Sequence, residues 1–326
     1  MNKFQNDLER NDGFMNIVFM GTPAFAVPSL RMLLEQGYHV VAVVTQPDRP
    51  QGRKRVLTPT PVKEVALEYG LPVLQPQRMR SPEAVAELAT YKPDLIVTAA
   101  YGQILPKAVL DLPSRGCVNI HGSLLPKYRG GAPIQRSIMN GESVTGITLM
   151  YMAEGLDTGD MIAQVEVVIE EEDTSGTIFE KLSAVGATLL QRQLPNLLEG
   201  EVTRIPQNDD EATYSPNLKR EDEQIDWNRS ARDIYNQVRG LVPFSGAFTI
   251  WGDEVFKIWA VTPSSESSSH HSVVPGTVLQ LNERGIEVKT GDGSIWLTKV
   301  QPSGKKVLEV DAFIRGTSMV EGTVLT

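Results

Sequence analysis

The chain of 326 residues is poor in cysteine, histidine and long apolar runs, and each shortage removes a class of function. A single cysteine, Cys117, cannot build an intramolecular disulfide framework and fits a reducing compartment. That cysteine and the four histidines, at positions 39, 121, 270 and 271, do not assemble at the usual spacings into a Cys/His zinc cluster, so no metal is expected. No apolar stretch approaches the roughly 18–20 residues that span a bilayer. The polar first fourteen residues lack the apolar core of a secretory signal. A cytoplasmic protein with no membrane partner is the expectation. Cations are also in deficit, 31 Lys and Arg against 40 Asp and Glu for a net charge of −9. Such a balance disfavours nonspecific coating of nucleic acid, which rests on many Lys/Arg–phosphate contacts.

What is present is an ordinary globular composition, 41% apolar and 22% charged, in a chain long enough for two domains. Residues 16–23, NIVFMGTP, read as a buried strand ending in a tight turn; a helical pattern stops at Gly37, and HVVAVVTQP follows as a second strand. Strand, helix, strand within about thirty residues is the length of a βαβ unit. Helices are predicted over 60–70 and 82–91, and buried strands over 93–100, 115–122 and 146–152. The alternation predicts an α/β domain with a largely parallel, Rossmann-like sheet. Ligands of such sheets sit beyond the carboxyl ends of the strands, which directs attention to the loops after residues 20, 47, 100 and 121. The turn Met20-Gly21-Thr22-Pro23 has one glycine instead of the three of a dinucleotide fingerprint, and reads as a helix start.

Residues 174–200 read as one helix or two. After them the sequence turns polar and acidic, with Pro206 and Pro216, as a linker would. A short amphipathic helix over 230–241 precedes alternating segments with turn signals, as expected for a small β-barrel. The predicted organisation is a polar leader at 1–14, disordered and with Met15 as an alternative start; a catalytic domain at 15–203; a linker at 204–222; and an OB-like β-barrel domain at 223–326. The Ser-rich insert at 263–272 is expected to be a surface loop.

One strand carries chemistry. In Cys117-Val118-Asn119-Ile120-His121, residues two apart share a face, so Asn119 and His121 project together. An Asn amide can donate to a developing oxyanion and a His can shuttle a proton near neutral pH. A pair of satisfied core polar residues explains the pattern as well. Cys117 shares their face, and nothing nearby in sequence activates it as a nucleophile. A rigid loop with two glycines and two prolines follows at 123–133, and a Gly-rich acidic loop, Glu154-Gly155-Leu156-Asp157-Thr158-Gly159-Asp160, lies further on. Its spacing is not that of a calcium-binding EF-hand. A carboxylate from it could favour a protonated His or relay a proton.

These residues resemble the formyltetrahydrofolate-dependent formyltransferases. YGQILP at 101–106, NIHGSLLPKYRGGAP and EGLDTGDM are similar to that family's signature, and these three separated segments agree in order and spacing, within a match from about residue 15 to the end of the chain. The resemblance implies a catalytic trio of Asn119, His121 and Asp157. It implies folate-binding positions at Ser123, Leu124, Leu125 and Pro126 and at Tyr101, Gly102, Gln103, Ile104 and Leu105. It also implies 10-formyltetrahydrofolate as a cosubstrate, with no bound cofactor. Within the family the segment TQPDRPQGRKR is similar to an inserted loop that enters a tRNA acceptor-stem groove, with Arg49, Arg53, Lys54 and Arg55 as tRNA-binding residues and Arg49 as the discriminating contact. The implied acceptor is the amino group of initiator methionyl-tRNA, and the chain is expected to act as a monomer, with the 48–55 loop unordered until tRNA binds. The predicted C-terminal domain holds more carboxylates than cations, so tRNA contact there needs a local basic face; Lys305, Lys306 and Arg315 are candidates, alongside Lys219 and Arg220 in the linker. The segment 241–246, LVPFSG, departs from the family's aromatic-Pro stretch. Glycinamide ribonucleotide, a nucleotide-linked amino sugar and water remain as alternative formyl acceptors. A tRNA-binding module without activity is the alternative of another class, and the complete trio speaks against it.

Overall fold

The computed structural model describes residues 14–51, 55–264 and 273–326. The expectations for the leader up to residue 13, for Arg53 and Lys54, and for most of the Ser-rich insert therefore lie outside the described residues. Chain contacts divide the protein into two compact units.

The first unit comprises residues 1–131, 145–167 and 179–214. Its strands are β1 (Ile17–Gly21), β2 (Val40–Val44), β3 (Arg49–Gln51), β4 (Val56–Thr58), β5 (Val73–Leu74), β6 (Leu95–Ala99), β7 (Cys117–His121), β8 (Val144–Tyr151) and β9 (Met161–Val168). The helices threaded between them include α1 (Val27–Glu35), α2 (Pro61–Glu68), α3 (Pro82–Ala89) and α4 (Lys107–Leu110). Seven strands form one sheet in the order β5-β2-β1-β6-β7-β8-β9. The run from β5 to β7 is parallel. β1 and β6 are buried along their whole length, as strands covered on both faces must be, which is why they read as unbroken apolar runs. Thr60 and Ser81 cap α2 and α3 by accepting the backbone N–H of Lys63 and Ala84.

The parallel pattern stops at β7. β8 lies antiparallel to it, with Asn119 opposite Met150 and His121 opposite Thr148. β9, which carries polar residues at alternate positions and was not anticipated, completes the edge. On either side of residues 52–54, which lie outside the described residues, β3 and β4 pair as an antiparallel ribbon with Arg49 opposite Thr58. Helix α6 (Ser175–Glu199) is one continuous helix with Pro195 inside it. Residues 204–214, the first part of the stretch expected as linker, group with this first unit.

The second unit comprises residues 132–144, 168–178 and 215–326. It holds α5 (Pro133–Met139), α7 (Arg220–Glu223), α8 (Ala231–Leu241), β10 (Ala247–Trp251), β11 (Glu254–Pro263), β12 (Val278–Asn282), β13 (Gly285–Lys289), β14 (Ser294–Gln301), β15 (Leu308–Glu309) and α9 (Val310–Ile314). The strands form an antiparallel sheet in the order β10-β11-β14-β13-β12, with β15 on β14. The last residues close the ring. Thr326 exchanges backbone hydrogen bonds with Ile250 on one edge, while Leu325 and Thr323 bond Gly276 and Val278 on the other. Trp227, Ile234, Phe256, Ile286, Leu297 and Phe313 are among the residues that fill the interior. Two earlier segments join this unit. Gly240 of α8 lets α5 approach so closely that a Cβ there would meet Met139 at 2.5 Å. The buried guanidinium of Arg239 donates to the backbone oxygens of Glu170, Glu171 and Asp173.

Candidate active site

On one face of the first unit's sheet the side chains change character along the strands. Val18 and Met20 of β1, Ala42 and Val44 of β2, Ile96 of β6 and Cys117 of β7 pack in one apolar cluster. Period-two spacing continues that face into Thr98, Asn119 and His121 at the carboxyl ends. Thr98 pairs in register with Asn119, and its hydroxyl donates to Asn119 Oδ1 at 2.8 Å. With that oxygen engaged, the Nδ2 hydrogens have no hydrogen-bond partner among the described residues. A pre-aimed amide donor of this kind is what oxyanion stabilisation requires.

His121 is buried, and both ring nitrogens are assigned by their neighbours. Nε2 lies 3.1 Å from the backbone oxygen of Tyr128. A carbonyl only accepts, so Nε2 carries a hydrogen and donates. Nδ1 is then the nitrogen left for another partner, and it lies 3.7 Å from Asp157 Oδ2. Asp157 Oδ2 in turn accepts the backbone N–H of Gly130 at 2.8 Å. The trio named from sequence is thus brought together, from a strand and a loop 36 positions further on.

The loops that hold it are strained and cross-linked. Tyr128 and Asp157 occupy the left-handed region, with φ of 61° and 51°, and so does Ala100, with φ of 47°. Such residues cost of order 1–3 kcal/mol each and persist where the surroundings over-determine them. Gly159 is required where it stands, because a Cβ there would meet the Tyr151 carbonyl oxygen at 1.9 Å. The side chain of Gln207 donates to the backbone oxygens of Asp157 and Gly159 at 2.7 and 2.8 Å. Its own Oε1 accepts from Arg129 Nε and Nη2 at 3.0 and 2.8 Å. Thr213 binds the other loop, its hydroxyl accepting Tyr128 N–H at 2.9 Å and its carbonyl Arg129 N–H at 2.8 Å. Sequence reasoning missed Thr98, Gln207 and Thr213. Thr98 could have been found from period two and strand register; Gln207 and Thr213 lie in a polar stretch with no periodic signal.

The 123–126 loop is tied down internally. Ser123 Oγ donates to the Lys127 carbonyl, Thr148 Oγ1 to the Ser123 carbonyl, and Gln164 Nε2 to the Leu125 carbonyl. Ser123 and Leu125 are buried, Leu124 and Pro126 half-buried, and the Leu125–Pro126 bond is cis. In the 101–105 loop, Tyr101 and Leu105 are buried whereas Ile104 is 83% exposed. Gln103 donates to Pro76 O and accepts Met79 N–H, and Gly102 has φ of 85°. The Tyr101 hydroxyl is buried with no hydrogen-bond partner, and burial pushes its pKa up to about 12. Burial likewise pushes the Cys117 thiol up to about 12, with Asp111 adding to the effect, so the thiol is not a nucleophile at neutral pH.

Arg49 and Arg55 are exposed on the β3–β4 ribbon, beside the exposed apolar side chains of Val56 and Leu57. The ribbon's base is fixed by Asp48, whose carboxylate accepts from Lys63 Nζ and Gln75 Nε2, both at 2.6 Å; these bonds hold its pKa below the ordinary carboxylate value. In the second unit, Arg220 stacks over Phe248 and pairs with Glu223, and Arg315 pairs with Asp311. No group of three or more His, Cys, Asp or Glu that could hold a metal occurs among the described residues, and no helix among them is long and apolar enough to cross a membrane.

A family model described as formyl transferase matches residues 15–194, and one described as formyl transferase, C-terminal domain, matches 217–318. A methionyl-tRNA formyltransferase of Bacillus subtilis (strain 168) is 53% identical over 310 residues, covering 95% of this chain and 97% of that protein. The methionyl-tRNA formyltransferase of Geobacillus thermodenitrificans (strain NG80-2) is 55% identical, covering 92% and 94%. Among solved structures, the sugar 3N-formyl transferase WlaRD superposes with a TM-score of 0.65 at 18% identity, over 90% of this chain and 99% of that one. HypX from Aquifex aeolicus, in complex with tetrahydrofolic acid, gives 0.62 at 22% identity, over 93% and 47%. At those identities the two structures speak to the fold.

Proposed function

The chain belongs to the formyl transferase family, and from that premise we propose that it transfers the formyl group of 10-formyltetrahydrofolate to the free amino group of methionyl-tRNA, giving formylmethionyl initiator tRNA for translation initiation. The observation that carries this reading is the convergence of Asn119, His121 and Asp157 in a chain 53% identical to a methionyl-tRNA formyltransferase over 95% of its length.

The amine nitrogen attacks the formyl carbon, and the carbonyl electrons move onto oxygen. Asn119 Nδ2–H and a protonated His121 stabilise that oxyanion; donors of this kind are worth roughly 3–4 kcal/mol each in other enzymes. As the tetrahedral intermediate collapses, the bond from carbon to N10 breaks. The proton lost by the amine ends on N10, with His121 and Asp157 as its carriers. In this reading the loops with Tyr101, Gly102, Gln103, Ile104 and Leu105 and with Ser123, Leu124, Leu125 and Pro126 shape the folate site. The pterin would supply a partner for the orphaned Tyr101 hydroxyl. Folate is a diffusing cosubstrate, and the protein works in the cytoplasm as a monomer.

Arg49, Arg53, Lys54 and Arg55 contact the acceptor stem, and the predicted 223–326 domain adds a second tRNA-binding surface. The exposed ribbon with its fixed base supports this acceptor over an amino sugar, which offers no stem to grip. The test supplies label in the formyl group of 10-formyltetrahydrofolate together with initiator methionyl-tRNA, elongator methionyl-tRNA, glycinamide ribonucleotide or a nucleotide-linked amino sugar. Label is expected in the initiator tRNA; none there would sink the reading, and label released as formate alone would make the protein a hydrolase.

A further inference from the structure

Gln207 lies outside the trio and outside every segment that carried the family signature, yet all four of its amide valences are spent on the trio's supports. The two Arg129 donors fix Oε1 on one side, which forces both Nε2 hydrogens toward the carbonyl oxygens of Asp157 and Gly159. Two hydrogens meet two acceptors and a lone-pair oxygen meets two donors, so the amide has one orientation. Arg129 is 1% exposed and cannot turn away. Its Nη2 also reaches Asp209, whose carboxylate is 80% exposed, so the clamp's fixed end is the buried guanidinium and not the surface ion pair. At the other end, Asp157 sits in a left-handed backbone conformation that an L-residue avoids unless held.

We propose that Gln207 is a positioning residue for the reaction: braced by Arg129, it holds the backbone of Asp157 and Gly159 so that the Asp157 carboxylate meets His121 Nδ1. This rests on the proposed formyl transfer to methionyl-tRNA. Misplacing a catalytic group by about 1 Å costs on the order of 10²-fold in rate, and the polar valences of the Gln207 side chain are all taken up by Arg129, Asp157 and Gly159.

The test uses Gln207→Glu and Gln207→Met in the full chain. Glu keeps a partner for the buried Arg129 but cannot donate to the two carbonyls; Met keeps the volume and loses the amide. Initial rates of formyl transfer to methionyl-tRNA are measured with both substrates varied, alongside thermal melting and the ring resonances of ¹⁵N-labelled histidine. Both variants are expected to fold, with kcat down about 10²-fold, KM for folate and tRNA within about twofold, and the His121 ring signals displaced. A simple loss of packing would not produce that split. The inference is overturned if either folded variant keeps kcat within about threefold of the parent, or if the loss falls on KM. It is also overturned if neither variant folds, since Gln207 would then support the fold and not the alignment. An inactive parent protein would instead refute the proposed function and leave these variants' histidine spectra as the measure of the clamp.

Discussion

Replacing Asp157 with Asn separates charge from architecture at the site. The Asn carbonyl oxygen can still accept the Gly130 N–H that Asp157 Oδ2 accepts at 2.8 Å, and the backbone oxygen held by Gln207 is untouched. What disappears is a negative charge 3.7 Å from His121 Nδ1, between side chains only 6% and 17% exposed. At an effective dielectric of about 20, a unit charge at that distance attracts an imidazolium by roughly 4–5 kcal/mol. Relaxation of the surrounding dipoles and water takes back part of this, leaving on the order of 3 kcal/mol, equivalent to about 10²-fold in rate. General acid–base contributions of 10²–10⁴-fold are typical. Asp157→Asn is therefore expected to lower kcat by about 10²-fold or more, with Tm and KM for both substrates nearly unchanged. The assay is the initial rate of formyl transfer from 10-formyltetrahydrofolate to methionyl-tRNA at saturation, with melting curves alongside. A folded variant within about threefold of the parent kcat would refute the assignment of Asp157 to the proton path.

Asn119→Ala is expected to lower kcat by about 10²–10³-fold without a matching loss of folate affinity, as measured by equilibrium binding. Arg49→Ala is expected to raise KM for tRNA while folate binding stays intact; equal damage to both would point to misfolding. Cys117, with its thiol held at about 12 by burial, should resist iodoacetamide at pH 8 in the native protein and react promptly once urea unfolds it, as mass spectrometry would show. The Arg136 guanidinium bonds both oxygens of Asp222 at 2.9 and 2.8 Å and holds its carboxyl below the ordinary value. A carboxylate with a depressed folded-state pKa adds stability above its unfolded value and loses it as the pH falls through the folded one. Asp222→Asn should thus lower Tm by about 2 °C at pH 7, and the difference should shrink as the pH falls below the ordinary carboxylate value; calorimetry at neutral and at acid pH decides.

Much of the architecture follows from local pattern. Continuous apolar runs separated by capped helices announce buried parallel strands, because only strands covered on both faces need no polar side. Period two on residues 117–121 put Asn119 and His121 on one face, and that alone left them open to a core role. The resemblance to formyltransferase signatures supplied the chemistry. The antiparallel placement of β8 was not legible: residues 144–151 are as apolar as a parallel strand, and direction is set by which edge is free when the chain returns. The β3–β4 ribbon escaped notice because its six residues include one proline, several charged or polar side chains and no alternation.

What the sequence by itself determined was the pair on β7, the two domain-scale compositions, the basic segment and the family, since each is written in residues adjacent along the chain. What only the tertiary structure decided was which nitrogen of His121 is committed, that Asn119 Oδ1 accepts from Thr98, and that Gln207 and Arg129 grip the Asp157 loop. Those facts depend on hydrogen bonds between residues 7 to 80 positions apart. Such bonds leave no periodic trace, because chain closure over that distance is set by the packing of whole elements and not by the local preference of any residue.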